Sequence, residues 1–296
     1  MRVSTSTNIC THVLWNWEKE FYTSAQAIQM IAQGGFGAVD LDLSFWRIQE
    51  DCMARDDWKV WLEEQIRTAQ EVKIPITQTH AHFFGLDHCE LLTEQEQEHR
   101  IHLIQRDIEA SAMCGASWVV VHPQSYSGSE GYDPELSMAK NCELFKRLGE
   151  TAAKHGVCLA IENMFIHAGV STCFAADEDE LIALVDTLGD YNVFGICWDT
   201  GHAYMNKLDQ ATAVRKMGKR LKALHVNDNR NQGDDHVLPY HGFISWEPFM
   251  KALGEVDYQG DFTYEIHNFT KGFDAEFHQE ALTFSRKLGE HMLTLM

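Results

Sequence analysis

ICWDTGH at Ile196–His202 runs from an apolar strand straight into a carboxylate, a glycine and an imidazole. Three other runs end in a similar way: LAIEN at Leu159–Asn163, LKALHVND at Leu221–Asp228 and FTYEIH at Phe262–His267. In a parallel barrel the carboxyl ends of the strands open on one mouth. Glu162, Asp199, His225 and Glu265 are therefore expected to meet there. Three carboxylates cannot share a dry pocket without a cation to neutralise them. The pattern predicts a divalent metal ion.

Working outward from these runs, strand and helix patterns alternate along the whole chain. Strand-like runs fall near 2–10, 37–43, 74–80, 117–122, 157–162, 192–198, 221–227 and 261–266. Helical patterns occupy 24–34, 58–72, 94–114, 134–155, 177–189, 207–219, 245–254 and 274–294. Repeated strand–helix units imply a parallel sheet with right-handed crossovers. Eight such units in 296 residues predict an α/β fold, a (β/α)8 TIM barrel. An open doubly wound sheet usually carries a glycine-rich first turn, and none is present. No linker or low-complexity tract divides the chain, so residues 1–296 are read as a single domain. The long stretches Gln124–Asp133 and Asn227–Trp246 follow strands and are expected to overhang the catalytic face. SYSGSEGY at Ser125–Tyr132 reads as a flexible loop, with an anion cradle as the weaker alternative.

The formal charge is −20, from 24 Lys and Arg against 44 Asp and Glu. Such a surface disfavours nucleic acid and anionic membranes, whose binding rests on cationic contacts. It leaves small neutral substrates unaffected. The 8 cysteines form no CxxC pair, which excludes a zinc ribbon or a thioredoxin-like motif. The opening MRVSTSTNIC has no apolar signal core, and no run is long enough to span a membrane. A reducing cytoplasm is the expected location.

Each inner residue has a plainer reading. Glu162 is also a solvated strand end, Asp199 an N-cap, and His225 a satisfied core histidine. Their shared placement on successive strands favours the metal. Three oxygen ligands and one nitrogen suit Mn, Zn, Mg or Co, without ranking them. Outside this set, His80 and His82 end the third strand, His122 the fourth, and Asp234 and His236 follow the seventh. These stand equally as ligands, substrate contacts or structural loop residues. Trp15, Trp46 and Trp246 are read as core residues before sugar-stacking ones.

Taken together, THAHF, HPQ, ENM, WDTGHA, HVNDN, DDHVLPYHGFISW and YEIH resemble the xylose isomerase-like TIM-barrel superfamily. That group contains sugar isomerases and epimerases, inosose isomerases and dehydratases, and endonuclease IV-type DNA-repair enzymes. The resemblance implies one metal held by Glu162, Asp199, His225 and Glu265, with Glu162 and Glu265 moving a proton next to a carbonyl. It implies His82, His122, His202 and Arg230 as substrate contacts, with His80, Asp234 and His236 as extra ligands or supports. A sugar or cyclitol is the expected small-molecule partner, and a homo-oligomer is left open. Ketose 3-epimerases usually place an Arg six residues after the ligand His, where this chain has Asn231 beside Arg230. They carry a second Glu where it has Ala168. A three-zinc nuclease is the alternative, with ligand candidates in His80 or His82, His122, His202, Asp234 and His236. The acidic charge and the scarcity of Lys and Arg near the mouth weigh against it.

Overall fold

The computed structural model describes residues 1–11, 22–44, 51–83, 92–129, 131–166, 172–189 and 193–296. The strands are β1 (Val3–Ser6), β2 (Ala38–Asp42), β3 (Ile76–His80), β4 (Trp118–Val121), β5 (Ser127–Gly128), β6 (Gly131–Tyr132), β7 (Cys158–Glu162), β8 (Phe194–Asp199), β9 (Leu221–His225) and β10 (Phe262–Tyr264). The helices are α1 (Asn8–Thr11), α2 (Ser24–Gln33), α3 (Trp58–Glu71), α4 (Glu94–Cys114), α5 (Pro134–His155), α6 (Glu178–Leu188), α7 (Thr200–Met205), α8 (Gln210–Met217), α9 (Trp246–Glu255) and α10 (His278–Leu293).

Eight strands form one parallel sheet in the order β10-β1-β2-β3-β4-β7-β8-β9. A bridge between Val226 and Tyr264 joins its two ends. There the Val226 amide donates to the Thr263 carbonyl at 2.8 Å and the Glu265 amide to the Val226 carbonyl at 3.1 Å. The architecture is the expected (β/α)8 barrel. Helix boundaries follow local chemistry. Thr23 and Thr93 close capping boxes on α2 and α4, and Gly115 and Gly156 end α4 and α5 in the left-handed region.

Strand alternation sorts the side chains. One set packs outward against the helices, as do Leu159, Ile161, Ile196 and Trp198. The other points inward, where Val120, Ala160, Cys197 and Ala223 form a small interior cluster. Glu162, Asp199 and His225 lie two residues further along the same strands, so they sit one layer above this cluster, at the mouth.

Three local features differ from the sequence reading. The first strand stops at Ser6, and the chain turns into α1 where strand was expected. The extra helix α7 follows β8 directly, with Asp199 as its N-cap. Within the stretch after β4, β5 and β6 pair as a short antiparallel hairpin, and the Tyr132 hydroxyl donates to Glu180 at 2.5 Å. No helix among the described residues is long and apolar enough to cross a membrane.

Candidate metal centre

Glu162 stands at the middle of the mouth. Its Oε1 is 2.9 Å from His225 Nδ1, and its Oε2 is 2.9 Å from His122 Nε2 and 3.5 Å from His80 Nε2. Glu265 Oε2 reaches the same His225 Nδ1 at 3.3 Å, and Asn8 donates to its Oε1 at 3.2 Å. Asp199 is paired in register with His225 across β8 and β9. His202 Nδ1 lies 3.8 Å from Glu162 Oε1 and 3.9 Å from Asp199 Oδ1. On the far side, Asp234 is 2.9 Å from His236 Nε2 and 3.7 Å from His202 Nε2.

The histidines are oriented from behind. Nδ1 of His80 donates to the Ala81 carbonyl at 2.8 Å, Nδ1 of His202 to the Asn163 carbonyl at 2.8 Å, and Nδ1 of His236 to the Glu265 carbonyl at 2.9 Å. A carbonyl only accepts, so Nδ1 carries the proton and Nε2 is turned on the carboxylates. Ligand histidines are commonly fixed in this way. His236 holds its place with φ +40°, a costly backbone region for a residue with a side chain.

Does this pocket suit a cation? Oε2 of Glu162 and Oδ1 of Asp234 are buried and make no well-formed hydrogen bond among the described residues, although imidazole nitrogens stand near both. Carboxylate oxygens and imidazole nitrogens that crowd one point would fit a metal ion once the imidazoles give up their protons. Ligand atoms of His80, His122 and Glu162 all lie within 4.8 Å of one another, as do those of His80, His225 and Glu265, and those of Asp199, His202 and His236. The donors are mainly oxygen and imidazole, which suits Mn, Zn, Mg or Co, with the Cys197 thiol beside Glu162 and His225.

The electrostatics express the same demand for positive charge. Burial alone would lower the pKa of His80, but the Glu162 carboxylate overrides it and raises it to about 9. Burial likewise opposes protonation of His202, and Asp199 and Asp234 bring it up to about 10. His122 is lowered, since burial outweighs Glu162 there. Burial would raise Glu162, yet His225 and His122 hold it well below the usual carboxylate range. Burial raises Glu265 despite His225 and His236.

Buried amides set the geometry. Asn163 accepts from the Asp199 amide at 2.6 Å and donates back to the Asp199 carbonyl at 3.0 Å. Asn227 donates to Asp199 Oδ2 at 2.7 Å, while Oδ1 caps α7 by accepting from the His202 amide at 2.7 Å. Asp199 thus serves as both cap and mouth carboxylate. Gly201 is required by this packing: a Cβ there would lie 1.9 Å from Asn227 Oδ1. The loop bearing Asp234 and His236 is organised by buried Asp228. It accepts from the amides of Asn229, Tyr240 and Ile244 and from the Trp246 indole at 2.8, 2.8, 3.1 and 3.0 Å. Trp246 is accordingly a core residue.

Two of the expected substrate contacts, His122 and His202, lie within the cluster. Two others do not join it. His82 is clamped between Asp107 and Asp51, with Nδ1 and Nε2 each 2.8 Å from a carboxylate oxygen. Arg230 is half-exposed and turned toward Asp235, 3.8 Å away. Trp15, Trp46 and Ala168 lie outside the described residues. Sequence reasoning missed Asp40, which lies behind His225, and the amides Asn8, Asn163 and Asn227. For Asp40 a signal exists: a carboxylate in the middle of the apolar β2 run AVDLD.

Comparison with known proteins places the fold. The chain is 29% identical over 130 residues to a D-psicose 3-epimerase of Enterocloster bolteae, covering 43% of this chain and 40% of that protein. It is 35% identical over 115 residues to a probable endonuclease 4 of Halorhodospira halophila, covering 34% and 38%. The chain thus spans less than half the length of either relative. A solved D-psicose 3-epimerase, determined in the presence of D-fructose, superposes with TM-score 0.76 at 16% identity over 99% of both chains, a likeness of fold. The model of the xylose isomerase-like TIM barrel family matches residues 28–288. With that match over most of its length, the chain belongs to the xylose isomerase-like TIM barrel family.

Proposed function

We propose that this protein is a divalent-metal-dependent isomerase or epimerase acting on a sugar, a sugar derivative or a cyclitol. The observation that carries the reading is the pair Glu162 and Glu265, whose carboxylates approach His225 Nδ1 at 2.9 and 3.3 Å from separate strands. Glu162, Asp199, His225 and Glu265 would hold the ion. When bound, it supplies positive charge to the substrate oxygen that becomes anionic as a proton leaves the adjacent carbon. Glu162 and Glu265 are the proton carriers, one removing a proton and the other returning it. Return on the opposite face inverts a centre, and return to the neighbouring carbon moves the carbonyl. Expulsion of a hydroxyl would make the chain a dehydratase. Burial of the cluster keeps water from competing for these protons.

The test is solvent deuterium appearing at carbon in a panel of ketoses, aldoses and inososes incubated with metal-replete protein. Absence of exchange across the panel would sink the reading. One observation favours a second reading, an endonuclease IV-like phosphodiesterase. His80, His122, His202 and His236, with Asp234 against the last two, extend the donor set beyond four ligands. Three zinc ions per chain and cleavage of an abasic-site duplex would establish it. The charge of −20 and the outward position of Arg230 weigh against DNA.

A further inference from the structure

We infer that Asp40 is a positioning residue that fixes His225 as an Nδ1 ligand and makes it a stronger imidazole donor than His80, His202 and His236. This rests on the proposed metal centre. Asp40 and His225 are both fully buried, and His225 Nε2 lies 3.3 Å from Asp40 Oδ2. The carboxylate accepts, so Nε2 carries the proton. Nδ1 faces Glu162 and Glu265 at 2.9 and 3.3 Å, and is the nitrogen that would give up its proton to take an ion there. His80, His202 and His236 are pinned the other way round, through Nδ1, onto neutral backbone carbonyls. Among these histidines, His225 has a carboxylate behind it.

The difference has a chemical consequence. A carboxylate behind an imidazole raises the basicity of its free nitrogen more than a neutral acceptor does. Asp40 has the opposite problem. The Gln78 amide donates to Oδ2 at 3.0 Å, and Oδ1 makes no hydrogen bond. A buried carboxylate with one bare oxygen is costly unless positive charge is close. Gln78 is neutral, and Asp42 nearby is acidic. His225, polarised by an ion on its far nitrogen, is the partner that offsets the cost. Asp40 sits on β2 opposite Ser6 and Gln78 in register, two residues short of the strand end. It therefore acts through His225 rather than on substrate.

The experiment titrates metal-free wild type, Asp40→Asn and Asp40→Ala with Mn²⁺ or Zn²⁺ alone against a chromophoric chelator. Asp40→Asn keeps an acceptor but loses the charge, and affinity for the tightest ion should fall about 10-fold. Asp40→Ala should lose about 10- to 100-fold. If wild type takes up the ion and the variants match it, the inference is overturned while the functional reading stands. If wild type takes up no ion, both fall. Should Asp40→Ala not fold, the nearly isosteric Asp40→Asn decides alone.

Discussion

Glu162 ends β7 and Glu265 follows β10, two strands that are not neighbours in the sheet, yet both reach one ring atom of His225, at 2.9 and 3.3 Å. Two carboxylates directed at one nitrogen form a place to hold a cation and to exchange a proton beside it. Glu162→Gln and Glu265→Gln should each reduce turnover by at least about 10²-fold. Deuterium exchange on the identified substrate measures this, with bound metal counted in parallel. Wild-type rates in both metal-loaded variants would refute the assignment.

Removing divalent ions should destabilise the fold. Without a cation the mouth carboxylates repel one another. Ion at 100 times its Kd would contribute about 2.7 kcal/mol. Thermal unfolding with and without chelator tests this, and elemental analysis counts the ions. A midpoint indifferent to chelation and re-addition contradicts a resident metal.

His82 should make stability depend on pH. Burial opposes its charge, but Asp107 and Asp51 raise its pKa to about 10. Its contribution is complete below the unfolded value of about 6.5 and fades as pH rises through the folded one. The difference in denaturation midpoint between wild type and His82→Gln should be largest near pH 6 and shrink toward pH 10. A difference that grows with pH would contradict this.

Asp228→Ala should cost about 2–4 kcal/mol, since several hydrogen bonds to one buried carboxylate vanish together. The loop carrying Asp234 and His236 loses its organiser, so metal retention should fall too. Urea unfolding and metal analysis report both. An unchanged midpoint would show that the loop is held by other contacts.

Some of this was legible in the sequence and some was not, for physical reasons. Glu162, Asp199, His225 and Glu265 stood out because a charged side chain closing an apolar strand needs a partner. The long stretch from Asn227 to Trp246 was visible as a functional overhang, but Asp228 was not. An aspartate in a polar loop gives no sign that it gathers amides and an indole. Asp40 is marked only as a carboxylate in an apolar run, and alternation in a short strand does not say which face is the barrel axis. His80 and His82 share strand parity, yet the chain leaves the sheet after His80, and His82 swings toward α4. The helix α7 escaped because six residues are too few for a periodicity.

The joint between Val226 and Tyr264 bears on how this ring of strands breathes. It is a lone rung, and it lies directly between His225 and Glu265. Transient parting there would pull two donors away from each other. An ion spanning them would act as a rivet across this join. Amide exchange at Val226 and Glu265 should therefore slow on metal loading, and emptying the mouth should loosen the wall itself.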